Sequence, residues 1–123
     1  MPRSRTNDHS KTKTVKRAVL RDIVRRVVDV AQPEKIILFG SAARGSMGPN
    51  SDVDLLVIKR GRFDRGQLVE RIYLGMHGAA EAVDVIVVTP EEVERYRDEF
   101  CLVIYPALRE GKVVYAAKAT AAK

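Results

Sequence analysis

The chain has 123 residues, 31% of them charged, with a net charge of +6 and a single cysteine. That length accommodates one domain around one core and leaves no room for a second. The lone Cys101 excludes a disulfide framework and a cysteine-built zinc site, and its apolar neighbours predict a buried thiol.

The positive charge is unevenly placed. Residues 1–17 carry Arg3, Arg5, Lys11, Lys13, Lys16 and Arg17 against Asp8, and residues 116–123 add Lys118 and Lys123. The body between them, 18–115, is therefore close to neutral, at −1. Basic ends on a neutral body argue against nucleic acid as the main partner. Residues 1–12 are expected to form a flexible basic segment, 13–115 the folded domain and 116–123 a flexible tail. No apolar run approaches membrane-spanning length, and the start lacks the apolar core of a secretory signal, so the cytoplasm is the expected location.

The first element is a helix expected from Lys13 to Ala31. Val15, Val19, Ile23, Val27 and Val30 recur at helical spacing, while Arg21, Asp22, Arg25, Arg26 and Asp29 occupy much of the other face. Gln32-Pro33 ends it. The apolar run from Glu34 to Phe39 then reads as a buried strand closing on Gly40-Ser41. Gly40 permits a sharp turn and a close approach of a ligand to the backbone. Ser41 is expected to N-cap a short helix through Ala42, Ala43 and Arg44, with free N–H groups there for an anion. Gly45, Gly48, Pro49 and Asn50 reverse the chain, with Ser51 capping the turn.

A second strand is expected over Asp52–Ile58, in which Asp52 and Asp54, two residues apart, share a face. A basic connection, Lys59–Phe63, leads to a helix from about Asp64 to His77, weakened by Gly75 and stopped at Gly78. Val83–Val88 is the third strand, with Asp84 embedded in it. Thr89-Pro90-Glu91-Glu92 predicts a capping box opening a helix to about Arg97. Pro106 and Gly111 bracket one or two more helical turns, and Lys112–Tyr115 reads as an edge strand. Leu102–Tyr105 is apolar enough to close the core or to form a partner patch. Tyr73, Tyr96, Tyr105 and Tyr115 read as core or interface aromatics, His77 as a surface or capping residue, and His9 as part of the N-terminal segment. The order gives an α/β fold: a small mixed sheet packed by helices.

The chemistry lies in Gly40-Ser41, ten residues, then Asp52-Val53-Asp54. Two carboxylates about 4 Å apart repel by about 4 kcal/mol at an effective dielectric near 20. A bound cation or a raised pKa relieves that cost. Magnesium takes one or two carboxylates together with substrate phosphates, so the combination suggests a metal–nucleoside triphosphate site. Asp84 completes the cluster if its strand lies beside the second. Arg44 either reaches the triphosphate or pairs with one of these aspartates.

The run Phe39-Gly40-Ser41-Ala42-Ala43-Arg44-Gly45, followed by Ser51-Asp52-Val53-Asp54-Leu55-Leu56-Val57 and by Asp84, resembles the minimal nucleotidyltransferases of the DNA polymerase beta superfamily. The likeness runs from about Val15 to Tyr115 and includes the closing segment Pro106–Tyr115. It implies a nucleotidyltransferase fold and transfer of a nucleoside monophosphate, AMP from ATP, to a hydroxyl with release of pyrophosphate. Asp52, Asp54 and Asp84 would hold two Mg²⁺ ions, Asp84 the one that activates the attacking hydroxyl. Gly40 and Ser41 would hold the triphosphate. It also implies a HEPN-domain partner, with this chain the antitoxin of a type VII-like toxin–antitoxin pair that adenylates a tyrosine of the toxin. A homo-oligomer is left open, and no second domain for gripping tRNA or an antibiotic is expected. The residues also leave open an antitoxin acting by binding alone, or a nucleic-acid module working through the basic ends.

Overall fold

A computed structural model describes residues 15–48, 51–97 and 104–118, with the side chains of 104–106 left aside. The N-terminal segment expected at 1–12, most of the expected tail, Cys101 and Leu102-Val103 lie outside these residues. The elements are α1 (Arg17–Ala31), β1 (Lys35–Phe39), α2 (Gly40–Arg44), β2 (Val53–Ile58), α3 (Arg65–Leu74), β3 (Val83–Val88), α4 (Pro90–Tyr96), α5 (Ile104–Glu110) and β4 (Lys112–Ala116). One four-stranded sheet runs β3-β2-β1-β4. β1 pairs antiparallel with β2 and with β4, whereas β2 and β3 run parallel, so the sheet is mixed as expected.

Alternation along the strands sorts the core into two layers. Ile36, Leu38, Val53, Leu55, Val57, Val85 and Val87 meet Ile23, Val27 and Ala31 of α1 and Leu68 and Ile72 of α3. On the other face a smaller cluster joins Ile37, Leu56, Ile58 and Val88 to Ala107, with Val93, Tyr96 and Leu108 packed against it. The β-branched stripe of α1 is poor helix material, and burial of Ile23 and Val27 at 0% exposure holds it in place.

The helix ends follow local chemistry. α1 begins at Arg17 with Lys16 as its N-cap, so Val15 and Lys16, inside the helix that the spacing predicts from Lys13, lie outside the one observed. It stops at Gln32, whose φ of 47° is left-handed and whose N–H returns to the Val28 carbonyl. The Lys59 ammonium donates to the Ala31 carbonyl at 2.8 Å, a further cap on that end. α3 starts on an Asp64 side-chain cap and ends at Leu74, one turn short of the expected His77, because Gly75 serves as its C-cap. Arg26 ties the two helices together, its guanidinium donating to the carbonyls of Gly75 (3.0 Å) and His77 (2.8 Å). The capping box forms as read, Thr89 accepting from the Glu92 N–H and Glu92 from the Thr89 N–H. β4 extends one residue beyond the expected Tyr115. Among the described residues no helix is long and apolar enough to cross a membrane.

Candidate active site

The turn between β1 and α2, the start of β2 and the start of β3 meet at one end of the sheet. Asp54 stands opposite Phe39 of β1 on one side and opposite Asp84 of β3 on the other. The Ala82 carbonyl accepts from the Val53 N–H at 2.8 Å, which aligns the two strand starts. Period-two alternation puts Asp54 on the face of Leu56 and Ile58, and Asp84 on the face of Ile86 and Val88. Both acids therefore extend the smaller cluster toward the open end of the sheet.

Asp52 lies one residue before β2, outside the strand in which the sequence places it, and is exposed. Asp54 is half-buried. Burial raises its pKa above the usual carboxylate value, the negative charges of Asp84 and Asp52 raise it further, and Arg44 partly offsets them. Asp54 thus lies within electrostatic reach of both Asp52 and Asp84. As the side chains stand, no three acid, histidine or cysteine groups among the described residues converge on a single point suited to a metal ion. The donor set is nonetheless of the hard-oxygen kind that divalent cations prefer.

Gly40 explains how Asp54 is accommodated. Its φ is 74°, a left-handed value, and a Cβ added to it would fall on Asp54 Oδ2. The close approach that the sequence reserves for a ligand is thus made by a carboxylate of the chain itself. α2 has Phe39 as N-cap and no side-chain cap, so the capping role expected for Ser41 is not realised. Serine occupies the second residue of a single helical turn, and Gly45, at φ 75°, closes that turn. Ser51 does cap its turn, accepting from the Gly48 N–H at 2.9 Å. Arg44 pairs with Glu110 of α5 at 3.7 Å, rather than with an aspartate. Both members of that pair are more than half exposed, so the pair adds little to stability.

Sequence reasoning missed one participant. Tyr73, grouped above with the core aromatics, is 40% exposed, and its hydroxyl donates to Asp84 Oδ1 at 3.1 Å. The same hydroxyl accepts from the Val85 N–H at 2.8 Å. Burial lifts the phenol pKa, the Val85 hydrogen bond lowers it, and the Asp84 carboxylate raises it again, with a net upward shift. The available signal was its place in the last turn of the helix that precedes a β-strand carrying an embedded acid.

With this geometry, a profile of the nucleotidyltransferase domain family matches residues 18–118, most of the chain. The chain belongs to the nucleotidyltransferase domain family. Solved structures support the fold. A toxin–antitoxin complex with AMP-PNP is 20% identical with a TM-score of 0.54, covering 80% of this chain and 73% of that one. A mutant MntA–HpeT toxin–antitoxin has the same TM-score and coverages at 19% identity. The complex of tri-AMPylated Shewanella oneidensis HEPN toxin with MNT antitoxin is 17% identical, with a TM-score of 0.51 and coverages of 84% and 74%. None of the curated proteins compared with the chain matches it.

Proposed function

We propose that this nucleotidyltransferase moves AMP from ATP to a hydroxyl, that the acceptor is a tyrosine of a HEPN-domain partner, and that the chain acts as the antitoxin. The observation that carries the chemistry is Asp54: half-buried, seated against Gly40, and flanked by the charges of Asp52 and Asp84. That arrangement destabilises the chain unless a cation joins it. The partner assignment draws on neighbours of like fold that are toxin–antitoxin complexes, one with AMP-PNP and one with a tri-AMPylated HEPN toxin.

Asp52, Asp54 and Asp84 would hold magnesium, which when bound neutralises phosphate oxygens and makes an acceptor hydroxyl easier to deprotonate. Gly40 and Ser41 would hold the triphosphate tail through backbone and hydroxyl donors. Arg44 would leave Glu110 and place its guanidinium on the same phosphates. The acceptor hydroxyl gives up its proton to water as its oxygen bonds to the α-phosphorus, and the bond to the pyrophosphate group breaks, releasing pyrophosphate. The exposure of Asp52 and Asp84 suits an acceptor that arrives from a second protein.

The test is incubation with ATP labelled at the α-phosphate, magnesium and candidate HEPN-domain proteins, any encoded beside this chain first. Label on a partner tyrosine supports the reading, and its absence with every candidate partner sinks it. Replacing Asp52 and Asp54 together by Asn should abolish both label transfer and neutralisation. Neutralisation that survives the double change would instead identify an antitoxin that works by binding.

A further inference from the structure

We propose that Tyr73 is a positioning residue for Asp84, holding that carboxylate in one orientation for nucleotidyl transfer. The inference rests on the assignment of Asp84 to the acid trio under Proposed function.

β3 lies at the edge of the sheet, so part of its backbone lacks a strand neighbour. The Val85 N–H meets that need by donating to the Tyr73 hydroxyl, which reaches across from α3. With that N–H contact on its oxygen, the phenol directs its own proton at Asp84 Oδ1. The result is a strut of two hydrogen bonds from a rigid helix through a phenol to an exposed carboxylate. It ties down Oδ1, while Oδ2 accepts no hydrogen bond from the described residues. A free aspartate at a strand start samples several rotamers, and a tethered one presents a single oxygen in a constant place. Supporting hydrogen bonds of this kind orient ligating carboxylates elsewhere, and their loss typically costs about 10–100-fold in metal affinity or activity.

A purely structural role would need only the bond to Val85. Substituting Phe at 73 removes both bonds while keeping the ring, so the two roles are separated by a cycle with Asp84→Asn. If Tyr73 acts through Asp84, Tyr73→Phe lowers kcat roughly 10–100-fold and leaves KM for the nucleotide within about twofold. In the Asp84→Asn background the same change then causes no further loss of kcat. Urea stability, by contrast, falls by the same amount in both backgrounds, because the Val85 N–H loses its acceptor in each.

Mn²⁺ binding in the presence of a non-hydrolysable triphosphate, followed by electron paramagnetic resonance, gives a readout independent of turnover. Tyr73→Phe and Asp84→Asn should weaken it alike, and the double variant no more than either. Wild-type kcat and Mn²⁺ binding in Tyr73→Phe would overturn the proposal while leaving Asp84 its role. Equal kcat losses from Tyr73→Phe in both backgrounds would overturn it as well, reducing Tyr73 to a strand-edge support. Full activity in Asp84→Asn would remove the underlying assignment.

Discussion

Gly40 and Asp54 occupy each other's space: the volume a side chain would fill at position 40 is taken by the Oδ2 atom of Asp54. Gly40→Ala therefore meets two obstacles, a left-handed backbone and a displaced carboxylate. Transfer activity should fall by about two orders of magnitude or more, as a misplacement of about 1 Å can cost 10²-fold. The check is kcat alongside circular dichroism. Full activity with an unchanged spectrum would show that Asp54 has no fixed place in the reaction.

Asp54 also predicts a pH-dependent stability. Its folded pKa lies above the ordinary 3.8. The penalty is absent below that ordinary value, where the acid is protonated folded or unfolded. It is complete once pH exceeds the raised folded value. In EDTA, Asp54→Asn should raise Tm at pH 7 by about 2–4 °C, and the gain should fade as pH falls toward 4. With Mg²⁺ and ATP present the wild type should recover the difference, since ligand at 100 times Kd adds about 2.7 kcal/mol. Equal shifts with and without ligand would contradict this account.

Arg44 and Glu110 separate binding from stability. Glu110→Gln breaks an exposed pair at 3.7 Å, so stability should change by no more than about 0.5 kcal/mol. KM for the nucleotide should hold or fall, because the guanidinium is released. Arg44→Gln should raise that KM about tenfold, the equivalent of about 1.4 kcal/mol. Comparable KM values in the two variants would take Arg44 out of the phosphate site.

Thr89→Ala tests the capping box far from the acids. Loss of this cap should cost about 1 kcal/mol in urea unfolding, with kcat unchanged. Glu92 adds a pH signature. Burial pushes its pKa up, but the Arg65 hydrogen bond and the Thr89 N–H outweigh burial and leave it lowered from 4.5. That stabilisation is present above the ordinary value and disappears as pH drops through the lowered one. Glu92→Gln should therefore lose less stability at pH 3 than at pH 7, whereas the loss from Thr89→Ala, which keeps the N–H of residue 89, should be the same at both.

The parts of this molecule legible in its sequence are those in which neighbours along the chain decide the structure. Val83–Val88 and the Thr89–Glu92 box stand as read, because β-branched density and capping chemistry are local. The pairing of Asp54 with Asp84 is different: an embedded acid hinted at it, but only the parallel register of β2 and β3 makes it a neighbour. Ser41 misled because a capping residue type falls inside a helix that begins one residue earlier, at the left-handed Gly40. Tyr73 sat within a credible apolar stripe, and no periodicity reveals that a phenol will bend past a sheet edge to an acid. Arg26 likewise reads as a polar-face residue, yet it clasps the turn after α3.

The connection Lys59–Asp64 leaves β2 at its far end, where the Lys59 N–H meets the Val88 carbonyl, whereas the aspartates lie where β2 and β3 begin. Extra residues spliced into that distal bend would lengthen a hinge without moving any acid. One residue inserted between Ala82 and Asp84 would turn every following side chain of the strand over, exchanging Asp84 for an aliphatic neighbour. Changes of length thus have one permissive border on this protein and one that tolerates none.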